Sequence, residues 1–296
     1  MSNRSYVKNP HLSGMLVDEL FHLGLSTRDD LRATFGDVKF VCLGGSSTRM
    51  KKFADFVQDE LSKEGLNSGP VASLSKTDRY VMYKAGPVLS VNHGIGIPSL
   101  SVILNELIKL LHYADAKDVV FFRVGTSGGL GTEPGTVVVT RKAVNGLLKP
   151  QYEQIIMGER VSHSSELDGN LAKELLVCHN CADFSVLWGD TMCTSDFYEG
   201  QARLDGAFCE YEETHKMSYL REIHKSGVCN IEMESSCFAA MCRRAGIAAA
   251  IVCVTLVNRL QGDQVHLDPT DHEEYQIRPM KLIMTYIIKQ LLQNRN

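Results

Sequence analysis

Three short segments bring an arginine beside residues small enough to admit a ligand. Gly44-Gly45-Ser46-Ser47-Thr48-Arg49 closes an apolar run and opens a helical pattern. Its backbone N–H groups and the helix dipole can face an anion that Arg49 reaches. An ordinary strand-to-helix turn looks the same, and the spacing is not that of the Gly-x-x-x-x-Gly-Lys nucleotide loop. In Arg123-Val124-Gly125-Thr126-Ser127-Gly128-Gly129-Leu130-Gly131 a cation sits in a run otherwise apolar from Val119. A buried arginine needs an anion, either an internal carboxylate or a ligand phosphate. Thr126, Ser127 and the glycines after them let backbone approach a small ligand. A third arginine stands in Thr77-Asp78-Arg79-Tyr80, where alone it reads as a solvated surface residue.

Three further segments carry polar groups suited to a small polar molecule. Thr194-Ser195-Asp196-Phe197-Tyr198-Glu199-Gly200-Gln201-Ala202-Arg203 offers an amide with both a donor and an acceptor, a guanidinium and an aromatic face. In Asn230-Ile231-Glu232-Met233-Glu234-Ser235-Ser236 two carboxylates stand at a helix start, where complementing the dipole is sufficient reason for either. His22, in Phe21-His22-Leu23-Gly24-Leu25, has the neighbours of a packed residue.

Elements that position these residues follow from the apolar pattern. Apolar runs bounded by Gly and Pro alternate with stretches of helical period, which predicts an α/β fold with a largely buried sheet. Strands are expected at Val38–Leu43, Tyr80–Lys84, Val88–Asn92, Val119–Val124, Thr136–Thr140 and Ala249–Val257. Only Ala85-Gly86-Pro87 separates the second from the third, too short for a helical crossover, so that pair is antiparallel and the sheet mixed. Helices are expected at Thr48–Leu61, Pro98–Tyr113, Asn170–Cys178, Glu234–Arg244 and Pro279–Leu292, flanking the sheet. The polar stretch Gly262–His272 reads as an exposed loop. With no linker or repeat, residues 1–296 are expected to form a single domain, with 1–20 as an N-terminal extension.

Composition removes several function classes. Lys+Arg 31 against Asp+Glu 35 gives a formal net charge of −4, which disfavours nucleic acid as a ligand. The apolar stretch Ala245–Val257 falls short of the roughly 20 residues that cross a bilayer, so no membrane partner is expected. Residues 1–20 lack the apolar core of a secretory signal. Nine cysteines scattered through apolar runs suit free thiols in a reducing, cytoplasmic setting. Cys178-x-x-Cys181 has no second pair at metal spacing and reads as a helix end; no metal is expected.

Taken in this order, the Gly45 to Arg49 loop, Thr77-Asp78-Arg79, the Arg123 to Gly129 segment, Phe197 to Arg203 and Asn230 to Ser236 resemble the uridine phosphorylases, most closely the animal-type enzymes. The resemblance runs from Phe21 to near the C-terminus. It implies the nucleoside phosphorylase fold and a pentosyltransferase that converts uridine and phosphate reversibly into uracil and ribose 1-phosphate, in pyrimidine salvage and catabolism. It also implies that Gly45, Arg49, Arg123 and Thr126 hold phosphate, joined by Arg79 of the neighbouring subunit in a homodimer with a shared site. Phe197, Gln201, Arg203, Ser127 and Gly128 would bind uracil, with Arg203, Gln201 and Arg123 in catalytic roles. Met233 and Glu234 would bind ribose, with His22 reaching its 5′-hydroxyl across the dimer. No cofactor is implied, since inorganic phosphate is a co-substrate. Purine-specific members carry an Asp where this chain reads Asn258-Arg259, and Arg259 would suit a pyrimidine oxygen instead.

Overall fold

The computed structural model describes residues 6–66, 69–179 and 182–293. In chain order, a ribbon of β1 (Glu19–Leu20) and β2 (Leu25–Ser26) precedes helix α1 (Leu31–Phe35), β3 (Phe40–Gly44) and α2 (Ser47–Lys63). Next come β4 (Ala72–Ser73), β5 (Met82–Ala85), β6 (Val88–Asn92), α3 (Gly96–Tyr113), β7 (Val120–Gly129) and β8 (Val137–Val144). A hairpin of β9 (Gln151–Ile156) and β10 (Glu159–Ser164) leads to α4 (Gly169–Cys178) and β11 (Val186–Cys193). The chain closes with α5 (Glu213–Lys225), β12 (Val228–Glu232), α6 (Ser235–Ala245), β13 (Ala248–Asn258) and α7 (Pro269–Gln293).

Nine strands form one mixed sheet in the order β12-β11-β8-β13-β7-β3-β6-β5-β4. The short turn at Gly86-Pro87 does give an antiparallel β5–β6 pair, while β3 runs parallel to both β6 and β7. Strand β7 is long enough to serve two neighbours on one side. Its first half pairs with β3 and its last residues pair antiparallel with β12, so β7, β13, β8, β11 and β12 close into a ring.

Period-two alternation sends side chains into two cores. Val41, Leu43, Phe121 and Ile251 join a core with α1, α3 and α6, whereas Phe40, Cys42, Phe122 and Val252 join one with α2, α4 and α7. Strands covered on both faces read as continuous apolar runs, which is why these were visible in the sequence. The same parity places Arg123, two residues past Phe121, on the α3/α6 side.

Several expectations are corrected. Gly125–Gly129, expected as a loop, is the second half of β7, held by β13 as far as Asn258. Glycine is tolerated because space is already taken: a Cβ at Gly125 would come within 3.0 Å of the Cys253 Sγ. Helix α7 begins at Pro269 and runs through Pro279, so Pro269–His272 is helical rather than loop. Asp268 caps it, accepting from the N–H groups of Thr270 and Asp271, with Pro269 in the first turn. Ahead of α1, β1 pairs with β2, and Asp18 accepts from Lys109 Nζ at 2.7 Å. Cys178 is buried at the end of α4, and Cys181 lies outside the described residues.

Candidate active site

The ends of five strands, β3, β6, β7, β12 and β13, converge on one cavity of about 510 Å³, within the usual range for a small-molecule site. One end is lined by Gly45, Ser46, Arg49, His93, Arg123 and Thr126, the other by Phe197, Gln201, Arg203, Ser127, Gly128 and Val265, with Met233 and Glu234 alongside. Of the residues given a site role from sequence, His22, Arg79 and Arg259 stand outside it. Arg79 is exposed, and His22 sits 37% exposed with its Nδ1 2.6 Å from Glu106 Oε1.

At the cationic end α2 follows Gly45 after a single capping residue. Ser46 caps the helix, its Oγ accepting from the Arg49 N–H at 3.3 Å. The Arg49 side chain is fixed by Gln276 of α7, whose Oε1 accepts from Nε at 2.9 Å. Burial, then the nearby Arg123, push the Arg49 guanidinium below its ordinary value. A bound anion relieves that mismatch.

Of the two partners the sequence allowed for Arg123, the internal carboxylate is present. Arg123 is 3% exposed, and its Nη2 pairs with Glu232 Oε2 at 2.8 Å and with Glu234 Oε2. Nη1 lies 2.9 Å from Cys253 Sγ, and Nε has no hydrogen-bond partner. Burial opposes the Arg123 charge, but Glu232 and its neighbours hold the group well above its usual value. Burial pushes the Glu232 carboxyl up against the pull of Arg123. Glu234 stays below the usual range because Arg123, His93 and the Gly96 N–H outweigh its burial.

Glu232 ends β12 and accepts from the N–H groups of Glu234 and Ser235, satisfying the first turn of α6. Glu234 accepts from the Gly96 N–H at 2.6 Å. One carboxylate thus ties together the starts of α3 and α6 while facing the cavity. Its oxygens keep lone pairs for further donors.

The opposite end is built on a loop after β11. Arg203 stacks on Phe197, with the guanidinium carbon 4.1 Å from the ring centroid. Its Nη1 donates to the Asp263 carbonyl at 2.8 Å, and its Nε is buried without a partner. Gln201, 3% exposed, donates from Nε2 to Thr194 Oγ1 at 3.2 Å. The Ser127 hydroxyl is already committed, donating to the Val254 carbonyl at 3.2 Å and accepting from Asn230 at 3.0 Å.

Arg259 is not where the sequence reading put it. It is fully buried behind Gly128 and does not line the cavity. Its Nη2 donates to the Gln201 carbonyl at 2.8 Å and its Nε to Asp263 Oδ1 at 3.0 Å, so it braces the loop from behind. Asn258 likewise serves the backbone, accepting from Gly131 N and Leu260 N at 3.2 Å each. Sequence reasoning also missed Gln276, Asp263 and His93. A signal existed for His93, since Asn92-His93-Gly94-Ile95-Gly96 is another glycine-bearing strand-to-helix junction.

Comparison with known proteins matches this architecture. The model of the phosphorylase superfamily covers residues 39–287. Mouse uridine phosphorylase 2 is 53% identical over 97% of this chain and 90% of its own length. A relative from Schistosoma mansoni named inactive uridine phosphorylase B is 38% identical over 95% of both chains. The crystal structure of uridine phosphorylase from Schistosoma mansoni in complex with thymidine superposes with a TM-score of 0.91 at 39% identity, over 96% of this chain and 98% of that one.

Proposed function

The chain belongs to the phosphorylase superfamily and, within it, to the uridine phosphorylases; from that premise we propose that it cleaves uridine with inorganic phosphate, giving uracil and ribose 1-phosphate. The observation that carries the reading is the one cavity with Arg49 and Arg123 at one end and Gln201 and Arg203 at the other. An oxyanion and a pyrimidine edge are matched there by different residues, and Glu234, which lines the same cavity, suits the sugar hydroxyls.

In this reading phosphate, held by Gly45, Arg49, Arg123 and Thr126, attacks the anomeric carbon as the glycosidic bond breaks. Positive charge on the sugar faces the phosphate, and negative charge grows on uracil. Arg203 and Gln201 stabilise that charge, so rate comes from positioning and electrostatics. Arg123, gripped by two glutamates, fixes Glu234 for the ribose as well as reaching toward the anion.

A homodimer completes the site by supplying His22 and Arg79 from the neighbouring subunit. Supporting this, neither lines the cavity of its own chain, and Phe21 beside His22 and Ile95 at the cavity are 77% and 79% exposed. We place the enzyme in the cytoplasm; among the described residues no helix is long and apolar enough to cross a membrane. Phosphate is a co-substrate, with no cofactor.

A second reading, a nucleoside or anion binder without catalysis, is kept because a relative of this length carries the name inactive. Uracil release from uridine, with and without phosphate and compared with thymidine and inosine, decides between them. Phosphate-dependent uracil is the expected result. Tight uridine binding without product would favour the binder.

A further inference from the structure

His93 follows β6 and is pinned by its backbone, its N–H donating to the Gly44 carbonyl at 2.8 Å. The side chain is 1% exposed, lines the cavity, and has no hydrogen-bond partner of normal geometry at either ring nitrogen. Its ring lies against the Gly45 backbone: a Cβ built on Gly45 would stand 3.8 Å from His93 Cε1. Native interiors rarely leave a polar group in this condition unless something else supplies the partner.

The surrounding charges say what that something is. Arg123 is already matched by Glu232 and Glu234, so among the described residues Arg49 is the one cation lining that end without a carboxylate bridge. An entering dianion needs donors beyond these. Burial, with Arg123 next, pushes the imidazole down to about 4, so the ring is neutral at physiological pH and carries one N–H and one lone pair. No hydrogen bond of normal geometry commits either nitrogen, and the Gly94 carbonyl is a backbone acceptor with which a phosphate oxygen would compete for the ring N–H.

We propose that His93 is a further substrate-binding residue of this site, donating a hydrogen bond from its neutral imidazole to an oxygen of the attacking phosphate. This deepens the phosphorolysis reading and rests on it. It gives the anion end a donor that adds no further positive charge beside two arginines.

The test measures the steady-state kinetics of His93→Leu and His93→Gln with uridine and phosphate varied separately, alongside thermal unfolding. Losing one hydrogen bond to a charged ligand should raise the phosphate KM of His93→Leu about 10- to 100-fold, with the uridine KM within about twofold. His93→Gln, which keeps an N–H, should recover part of that loss. An unchanged phosphate KM in folded His93→Leu overturns the proposal. So does a rise in both KM values with lowered melting in both variants, since that marks a packing role. Should His93→Leu not fold, ¹⁵N resonances of the wild-type His93 ring titrated with inorganic phosphate decide: a shift supports the contact, and no shift at saturation overturns it. If wild-type protein releases no uracil, the functional reading has failed instead, and the same titration still judges His93.

Discussion

Asp263 sits behind the loop that carries Gln201 and Arg203, and Asp263→Asn tests whether that loop is held electrostatically. One oxygen accepts from Lys216 Nζ at 2.8 Å and from Arg259, whose Nη2 is 2.9 Å away, and the other accepts from the Leu204 N–H at 3.0 Å. Arg259 is fully buried and Lys216 is 5% exposed. Asparagine keeps the shape but removes the charge, and its NH₂ must face either the two cations or the Leu204 N–H. Leaving buried charge uncompensated costs about 3–5 kcal/mol, a large share of a typical stability of about 5–15 kcal/mol. At roughly 2–4 °C per kcal/mol for a protein of this size class, melting should fall by about 6–20 °C. Because the Asp263 carbonyl also holds Arg203, and Arg259 holds the Gln201 carbonyl, the uridine KM should rise while the phosphate KM stays put. Differential scanning fluorimetry and two-substrate kinetics read both effects. Melting within about 1 °C of wild type, with unchanged uridine kinetics, would refute the bracing argument.

The same carboxylate sets an acid limit. Burial alone would raise Asp263, but the Leu204 N–H, Lys216 and Arg259 together hold it below the usual aspartate value. Its stabilisation is therefore full above the unfolded value of about 3.9 and disappears as pH falls through the lower folded value. Urea unfolding should show a steeper acid loss in wild type than in Asp263→Asn; parallel curves would count against it. Gln276→Ala frees Arg49 Nε and should raise the phosphate KM a few-fold without moving the uridine KM, a split that a general loss of folding cannot mimic. Arg203→Ala should lower kcat more than it weakens uridine binding, and a variant with only a raised KM would contradict the role given to Arg203 on the departing base.

What was legible in the sequence was what burial on two faces writes into it. Strands β3, β6 and β13 and the first half of β7 are largely apolar runs, and the long amphipathic helices α2 and α3 repeat at helical spacing. Strands β9 and β10 were missed because Glu153, Glu159 and Arg160 put charge on a hairpin outside the main sheet. Strand β12 was missed because Asn230 and Glu232 are polar yet buried, each paid in hydrogen bonds invisible to a hydropathy pattern. Arg123 was recognised as buried, but its glutamate partners lie over 100 residues on, and only the fold chooses between carboxylate and ligand. Arg259 shows the converse: its place after β13 drew attention, while its orientation depends on Asp263 one turn later. Pro279 suggested a helix start that Asp268 and Pro269 had already made.

Strand β12, in bridging from β11 back to β7, also settles how the protein treats its own kind. With that side of the sheet closed on itself, the open edge left among the described residues of the large sheet is β4, two residues long and exposed. An edge so short offers almost no template to an incoming strand, and sheet-to-sheet polymerisation finds little to grip. The ring that gathers the pocket therefore doubles as protection against aggregation.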